Sequence, residues 1–240
     1  MIWALHGAVG MAADWRDFAA AIPGQYDGVR RLDLWRFLDC CPMSLAECGR
    51  ALADEIKRVD PEPTLLGYSM GGRLALHAML NQPGLWKSAI IVSAHPGLQQ
   101  EADRVARREK DAEWSALALK GEWSNFLAKW NAQDVLGGAC EMPDRMQLRK
   151  RRVSVARSFV DWSLGAQADL TADLAQISCP TLWLTGERDK KFTDLAEQAV
   201  TVLSRGRHQV IAGSGHRIPW EQPEVFQQAC LEFLGNALET

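Results

Sequence analysis

Gly67-Tyr68-Ser69-Met70-Gly71 fits the pattern Gly-x-Ser-x-Gly, in which two small residues let the chain turn sharply and leave a serine hydroxyl clear of its backbone. Such a hydroxyl is inert until a histidine within hydrogen-bond reach takes its proton and a carboxylate orients that histidine. Both partners follow in the chain order these sites use: Asp189 in Gly186-Glu187-Arg188-Asp189, and His216 in Gly213-Ser214-Gly215-His216. A single loop aspartate is usually a turn former and a single histidine usually a packed one. Three such residues in order, each directly after its own apolar run, point to a Ser69-Asp189-His216 triad. His6-Gly7-Ala8 adds a further part: the backbone N–H groups of Ala8 and Met70 would face negative charge developing beside Ser69, with His6 orienting that loop. The chemistry within reach is nucleophilic acyl transfer, or proton abstraction by the same serine.

These residues need rigid elements to hold them. Short apolar runs recur at 2–6, 29–33, 64–68, 89–93, 181–185 and 208–212. They lack strict alternation, so they read as strands buried on both faces, as a helix-covered parallel sheet requires. Helical patterns lie between them. Ser44 and Glu47 form a capping box that opens a helix to about Arg58, and further helices are expected over Met70 to Asn81, Lys191 to Leu203 and Pro223 to Leu234. Alternating strands and helices make this an α/β chain with a doubly wound parallel sheet. The exception is 96–165, which shows helical periodicity without a strand, and is expected to be a helical cap inserted into a core of 1–95 and 166–240. Charge sets the cap apart. From Glu101 to Arg157 there are twelve Lys and Arg against nine Asp and Glu, whereas the remainder has fifteen against twenty-one.

Composition bounds the rest. At 240 residues, 47% hydrophobic and 24% charged, the chain can bury one sizeable core, and disordered, collagen-like and coiled-coil classes are excluded. No apolar run approaches a membrane span and the first residues lack an export pattern, so a cytoplasmic protein is expected. The six cysteines (Cys40, Cys41, Cys48, Cys140, Cys179, Cys230) then read as free, mostly structural thiols. A net charge of −3 gives no reason to expect nucleic acid or a membrane surface as partner. A monomer or small homo-oligomer without metal or organic cofactor is expected, since no ligand spacing for a metal is present.

The motifs together resemble the α/β-hydrolase fold with a helical cap. In that family the strand before His6-Gly7 is usually the third of eight, so the resemblance implies a sheet of about six strands lacking the usual first two. A second departure is Asp33-Leu34-Trp35-Arg36, where the family often has Asp-Leu-Pro-Gly-His-Gly. Within the superfamily the chain is similar to the 2-succinyl-6-hydroxy-2,4-cyclohexadiene-1-carboxylate synthases, lyases of menaquinone biosynthesis that eliminate pyruvate. The resembling segments are Gly67 to Arg73, His95-Pro96-Gly97-Leu98 with the arginine-rich stretch after it, Gly186 to Phe192, and Gly215-His216 with Glu221-Gln222-Pro223.

That resemblance implies a small substrate with three carboxylates and fixed cations to meet them, which an esterase pocket for a neutral acyl chain would not carry unpaired. Arg73, four residues after Ser69 on one helix, and Arg107 match two substrate arginines. A third is expected between Arg145 and Arg157, with Arg149 the best match and Arg152 next; most of Arg149-Lys150-Arg151-Arg152 reads as a solvated helix end. Trp130 matches a tryptophan lining the family's pocket, and Tyr68, which flanks the nucleophile, and His6 are expected beside the substrate with it, while most of the ten tryptophans are packing residues. Two other readings stay open. Ser69 could attack a small anionic ester or thioester, or the chain could be a ligand-binding protein on a hydrolase scaffold, for which a complete triad is unusual.

Overall fold

The structure, a computed structural model, describes residues 1–39, 41–137, 140 and 142–238. Each apolar run becomes a strand: β1 (Ile2–Leu5), β2 (Val29–Leu32), β3 (Thr64–Tyr68), β4 (Ser88–Val92), β5 (Thr181–Gly186) and β6 (Gly206–Ile211). They form one six-stranded sheet in the order β2-β1-β3-β4-β5-β6, parallel at every pairing. The expected fold, an α/β-hydrolase sheet of six parallel strands, is thus the observed one.

Alternate residues of each inner strand feed opposite cores. Trp3, Leu5, Leu65, Ile91 and Trp183 join one cluster; Ile2, Ala4, Leu66, Ile90, Leu182 and Leu184 join the other. With both faces covered there is no polar side to mark, which is why the runs read as continuously apolar. On the first face lie α2 (Leu45–Lys57), α3 (Met70–Asn81) and α7 (Lys190–Val202). On the second lie α1 (Arg16–Ala21) and α9 (Pro223–Leu238), preceded by the single turn α8 (Ile218–Glu221). The capping box is in place: Glu47 N–H donates to Ser44 Oγ at 3.2 Å, and Ser44 N–H to Glu47 Oε2 at 2.8 Å.

The edge strands differ from the sequence expectation. β2 ends at Leu32 because Asp33 turns out of the strand and accepts the Trp35 N–H to start a 3₁₀ turn over Leu34–Leu38. β2 and β6 are also exposed along much of their length, with Arg30, Arg31, Arg207 and Gln209 facing solvent. An edge strand has a neighbour on one side only, and full burial on both faces applies to the inner four.

Between β4 and β5 the chain forms α4 (Glu101–Lys120), α5 (Trp123–Asn131), 3₁₀ turns at Asp134–Leu136 and Met146–Arg151, and α6 (Arg152–Asp161). Trp114, Phe126, Trp130 and Phe159 pack edge-on or stacked with centroids 5.3–6.5 Å apart, an aromatic group continuous with the core on the first face of the sheet. One side is fastened to the turn after β2. Arg151 pairs with Asp33 at 2.9 Å and with Asp39, Ser154 Oγ donates to Asp39 at 2.7 Å, and Arg157 donates to the Leu38 carbonyl at 2.7 Å.

Cys48, Cys179 and Cys230 are buried, and burial raises each thiol above its ordinary range. Cys40 lies outside the described residues. Among the described residues no helix is long and apolar enough to cross a membrane.

Candidate active site

The chain runs from β1 outward to β2 and then returns to β3 on the other side of β1, so the strand order reverses between β1 and β3. Crevices at the C-terminal ends of strands at such a reversal are where open α/β sheets bind ligands. Ser69 leaves the end of β3 and Gly7-Ala8 leaves the end of β1, which brings the two segments together there.

Ser69 has φ 51° and ψ −110°, a strained conformation for a residue with a Cβ. Val9 (φ 53°) and Ser93 (φ 47°) share the left-handed region and also border the cavities beside Ser69. Glycines make the turn possible. A Cβ on Gly71 would lie 2.5 Å from the Leu5 carbonyl oxygen and 2.6 Å from that of His6. These are backbone atoms of a central strand and its exit and cannot step aside. Gly71→Ala should therefore destabilise the fold by about 2–3 kcal/mol, read as a lowered urea midpoint.

The three triad residues converge. His216 Nδ1 lies 2.6 Å from Asp189 Oδ2 and His216 Nε2 lies 3.1 Å from Ser69 Oγ, with Asp189 and His216 both buried. The carboxylate holds the ring proton on Nδ1, which leaves Nε2 to accept the serine proton. Phe192 and Tyr68 pack against the imidazole at 4.5 and 5.7 Å between centroids, fixing its plane.

His6, expected beside the substrate, does not line either cavity and instead braces the loop. Its Nδ1–H donates to the Gly7 carbonyl at 2.9 Å and its Nε2 accepts the Leu34 N–H at 3.2 Å. Trp35 Nε1–H donates to the Gly10 carbonyl at 2.9 Å. The departure at Asp33 to Arg36 thus serves as a brace for the loop that carries Ala8. Ala8 and Met70 both border the space above Ser69.

That space is a chamber of about 400 Å³ between the strand ends and the helices α4 and α5. Arg73, Arg107, Lys110 and Lys191 reach its wall against one carboxylate, Asp111. Asp111 is already engaged: both its oxygens accept from Arg107 Nε at 2.9 Å and Oδ2 accepts from Ser163 at 2.8 Å. Arg73 is 8% exposed and donates only to neutral acceptors, the Gln167 side-chain oxygen at 3.1 Å and the Trp162 carbonyl at 2.7 Å. Burial, with Arg107 nearby, pulls its pKa down to about 9. Trp130 lines the chamber and Tyr68 an adjoining small cavity.

The two candidates for a third arginine lie elsewhere. Arg149 is exposed and absent from the chamber wall. Arg152 turns back into the cap, donating to the carbonyls of Ala118 and Gly121 at 2.6–3.0 Å, with its guanidinium over Trp123. Of the basic stretch, Arg145 alone is buried beside Ser69, paired with Asp14 at 2.5 Å.

Sequence reasoning passed over Lys110, Lys191 and His95 as site residues. Lys110 stands three residues after Arg107, hence on the same face of α4. Lys191 and His95 sit inside motifs already singled out. His95 Nδ1 accepts the Gly97 N–H at 3.1 Å, which leaves the ring proton on Nε2. Gln167 carried no local signal.

His6 and His95 are buried and neutral, their pKa values pushed down to about 4 and about 3 by desolvation. In the unfolded chain both would take a proton near pH 6.5, so between that value and the folded pKa the unfolded state binds more protons. Their stabilisation is complete above about pH 6.5 and declines as pH falls toward 4, at up to about 1.4 kcal/mol per pH unit for each group. Urea unfolding at pH 7 and pH 5 should show the drop, and His95→Gln should lessen it while His6 keeps its share.

Residues 4–229 match the sequence model described as Alpha/beta hydrolase family. The chain belongs to the α/β hydrolase family. Within it, the chain is 32% identical over 235 residues to the 2-succinyl-6-hydroxy-2,4-cyclohexadiene-1-carboxylate synthase of Enterobacter sp. (strain 638), covering 95% of this chain and 88% of that one. It is 28% identical over 247 residues to the synthase of the same name from Yersinia enterocolitica, covering 99% and 87%. Among solved structures, MenH from S. aureus superposes with a TM-score of 0.84 at 24% identity, covering 99% of this chain and 94% of that one. A thermophilic esterase from Thermogutta terrifontis superposes with a TM-score of 0.73 at 21% identity, covering 98% and 89%. Both share the fold. Among the described residues no group of three or more His, Cys, Asp or Glu is placed to hold a metal ion.

Proposed function

We propose that this protein is a lyase that eliminates pyruvate from a succinyl-enolpyruvyl-hydroxycyclohexene-carboxylate, as the names of its relatives suggest. The observation that carries this reading is Arg73, a buried cation on the nucleophile's own helix that among the described residues hydrogen-bonds only neutral acceptors, in a chamber where it and three more cations share one carboxylate, Asp111, already engaged by Arg107. A site for a neutral acyl chain would leave that charge uncompensated. Carboxylates of the substrate complete it.

His216, oriented by Asp189, takes the Ser69 proton, and the Ser69 oxygen takes a proton from the substrate ring. The electron pair released moves through the ring to form the conjugated diene, the carbon–oxygen bond to the enolpyruvyl group breaks, and the leaving group is protonated to pyruvate. No acyl-enzyme forms. The cations hold the carboxylates so that the ring proton faces Ser69, and the Ala8 and Met70 amides stabilise the transient negative charge.

The intact Ser-His-Asp geometry also favours a second reading, hydrolysis of a small anionic ester with Ser69 as covalent nucleophile. A coupled assay that supplies freshly made pathway intermediate and follows pyruvate together with diene absorbance separates the two. Pyruvate release with little turnover of acyl esters is the expected result. Brisk ester hydrolysis without pyruvate would assign the cations to another anionic substrate.

A further inference from the structure

A second cavity adjoins the chamber and contains a cation that the mechanism above leaves unused. It is small, about 40 Å³, and shares Ala8, Ser69, Trp130 and Leu136 with the chamber, so the two meet at the nucleophile. Arg217, one residue past the catalytic base, is 6% exposed and lines this cavity. Its guanidinium donates to the Asn131 side-chain oxygen at 2.5 Å and to the Cys140 sulfur, both neutral acceptors. Among the described residues no carboxylate forms an ion pair with it. The two nearby candidates are occupied. Asp14 is paired with Arg145 at 2.5 Å, and Glu221 accepts from the Arg188 side chain at 2.5 Å and from the backbone N–H groups of Gly215 and Arg217, not from the Arg217 guanidinium.

A buried guanidinium without a counter-charge is costly to the protein alone. A cavity of this size holds a group of a few heavy atoms, which suits a single carboxylate and not a longer chain. We propose that Arg217, held by the Asn131 amide, is a second anion anchor that binds one carboxylate of the substrate in this cavity while Arg73 and its neighbours bind the others in the chamber. The inference rests on the polycarboxylate reading above and extends it. A substrate tied on both sides of Ser69 has its reacting carbon fixed over the serine oxygen.

The test uses the whole protein with two separate readouts: KM for pyruvate release, and calorimetric titration with the unreactive tricarboxylate tricarballylate, with succinate as a shorter control. Arg217→Gln should raise KM about ten- to fiftyfold and weaken tricarballylate by a similar factor, while succinate affinity stays within twofold. Arg217→Lys should recover part of the loss. Asn131→Asp keeps Arg217 and gives it an internal carboxylate, so it should reproduce the loss without removing a cation, and it carries the test if Arg217→Gln fails to fold. Unchanged KM and tricarballylate affinity in both variants would overturn the anchor and leave the lyase reading standing. Tricarballylate binding that depends on Arg217, in a protein that releases no pyruvate, would keep the anchor and remove the lyase reading.

Discussion

Ser69→Ala protein should release pyruvate at least about a thousandfold more slowly than wild type, while binding the polycarboxylate substrate within a few-fold of wild-type affinity. The split follows from where the parts sit. In the proposed mechanism Ser69 Oγ, 3.1 Å from His216 Nε2, moves the proton, and the substrate is held by the charge on the chamber wall, on Arg73, Arg107, Lys110 and Lys191. Removing one oxygen leaves that wall intact, and the loss should fall on kcat. Rapid-mixing turnover measured beside calorimetric binding checks it. Turnover within tenfold of wild type would place proton abstraction on another group.

Arg73→Met should lower kcat/KM about a hundredfold and alter unfolding free energy by no more than about 1 kcal/mol. Charge-assisted hydrogen bonds contribute about 1.5–3 kcal/mol each, and a guanidinium meeting a carboxylate can make two. The stability side has opposing terms. Methionine fills much of the arginine's volume and removes a desolvated charge, which is often neutral or favourable; against this, the Gln167 side-chain oxygen and the Trp162 carbonyl lose their donor. Kinetics beside urea unfolding separates them. A large stability loss with intact turnover would recast Arg73 as a tie between α3 and the segment after α6.

The parts that could be read in the chain were those governed by local rules or by position relative to strands. Ser69, Asp189 and His216 each follow an apolar run directly, and a parallel sheet carries such positions to one edge wherever the rest of the chain goes. The capping box at Ser44 is a four-residue feature and appears as read. The arginines of the cap were harder, because the stretch from Met146 to Arg151 winds as a 3₁₀ helix before α6 begins. The change in pitch resets which residues share a face, so Arg151 meets Asp33 and Asp39 and Arg152 faces the end of α4. Neither orientation follows from the spacing of basic residues. Arg145 and Asp14 are 131 positions apart and meet only through tertiary structure. His6, expected both to orient its loop and to contact substrate, hydrogen-bonds that loop and lies outside both cavity walls, a placement that depends on tertiary structure.

The exposed arginines of the edge strands bear on how this protein meets its own copies. β2, at one edge of the six-stranded sheet, presents a row of backbone donors and acceptors, and such a row invites a strand from a second molecule. Arg30 and Arg31 occupy the middle of β2, with the Arg30 guanidinium 5.1 Å from the centroid of Trp3 on the adjacent strand. At the opposite edge β6 carries Arg207. An incoming strand paired in register at β2 would crowd or desolvate these cations, a penalty that recurs with each added copy. The same residues that make the outer strands poor core material thus act against templated stacking, and their replacement by valine should show first as aggregation during refolding, before any change in turnover.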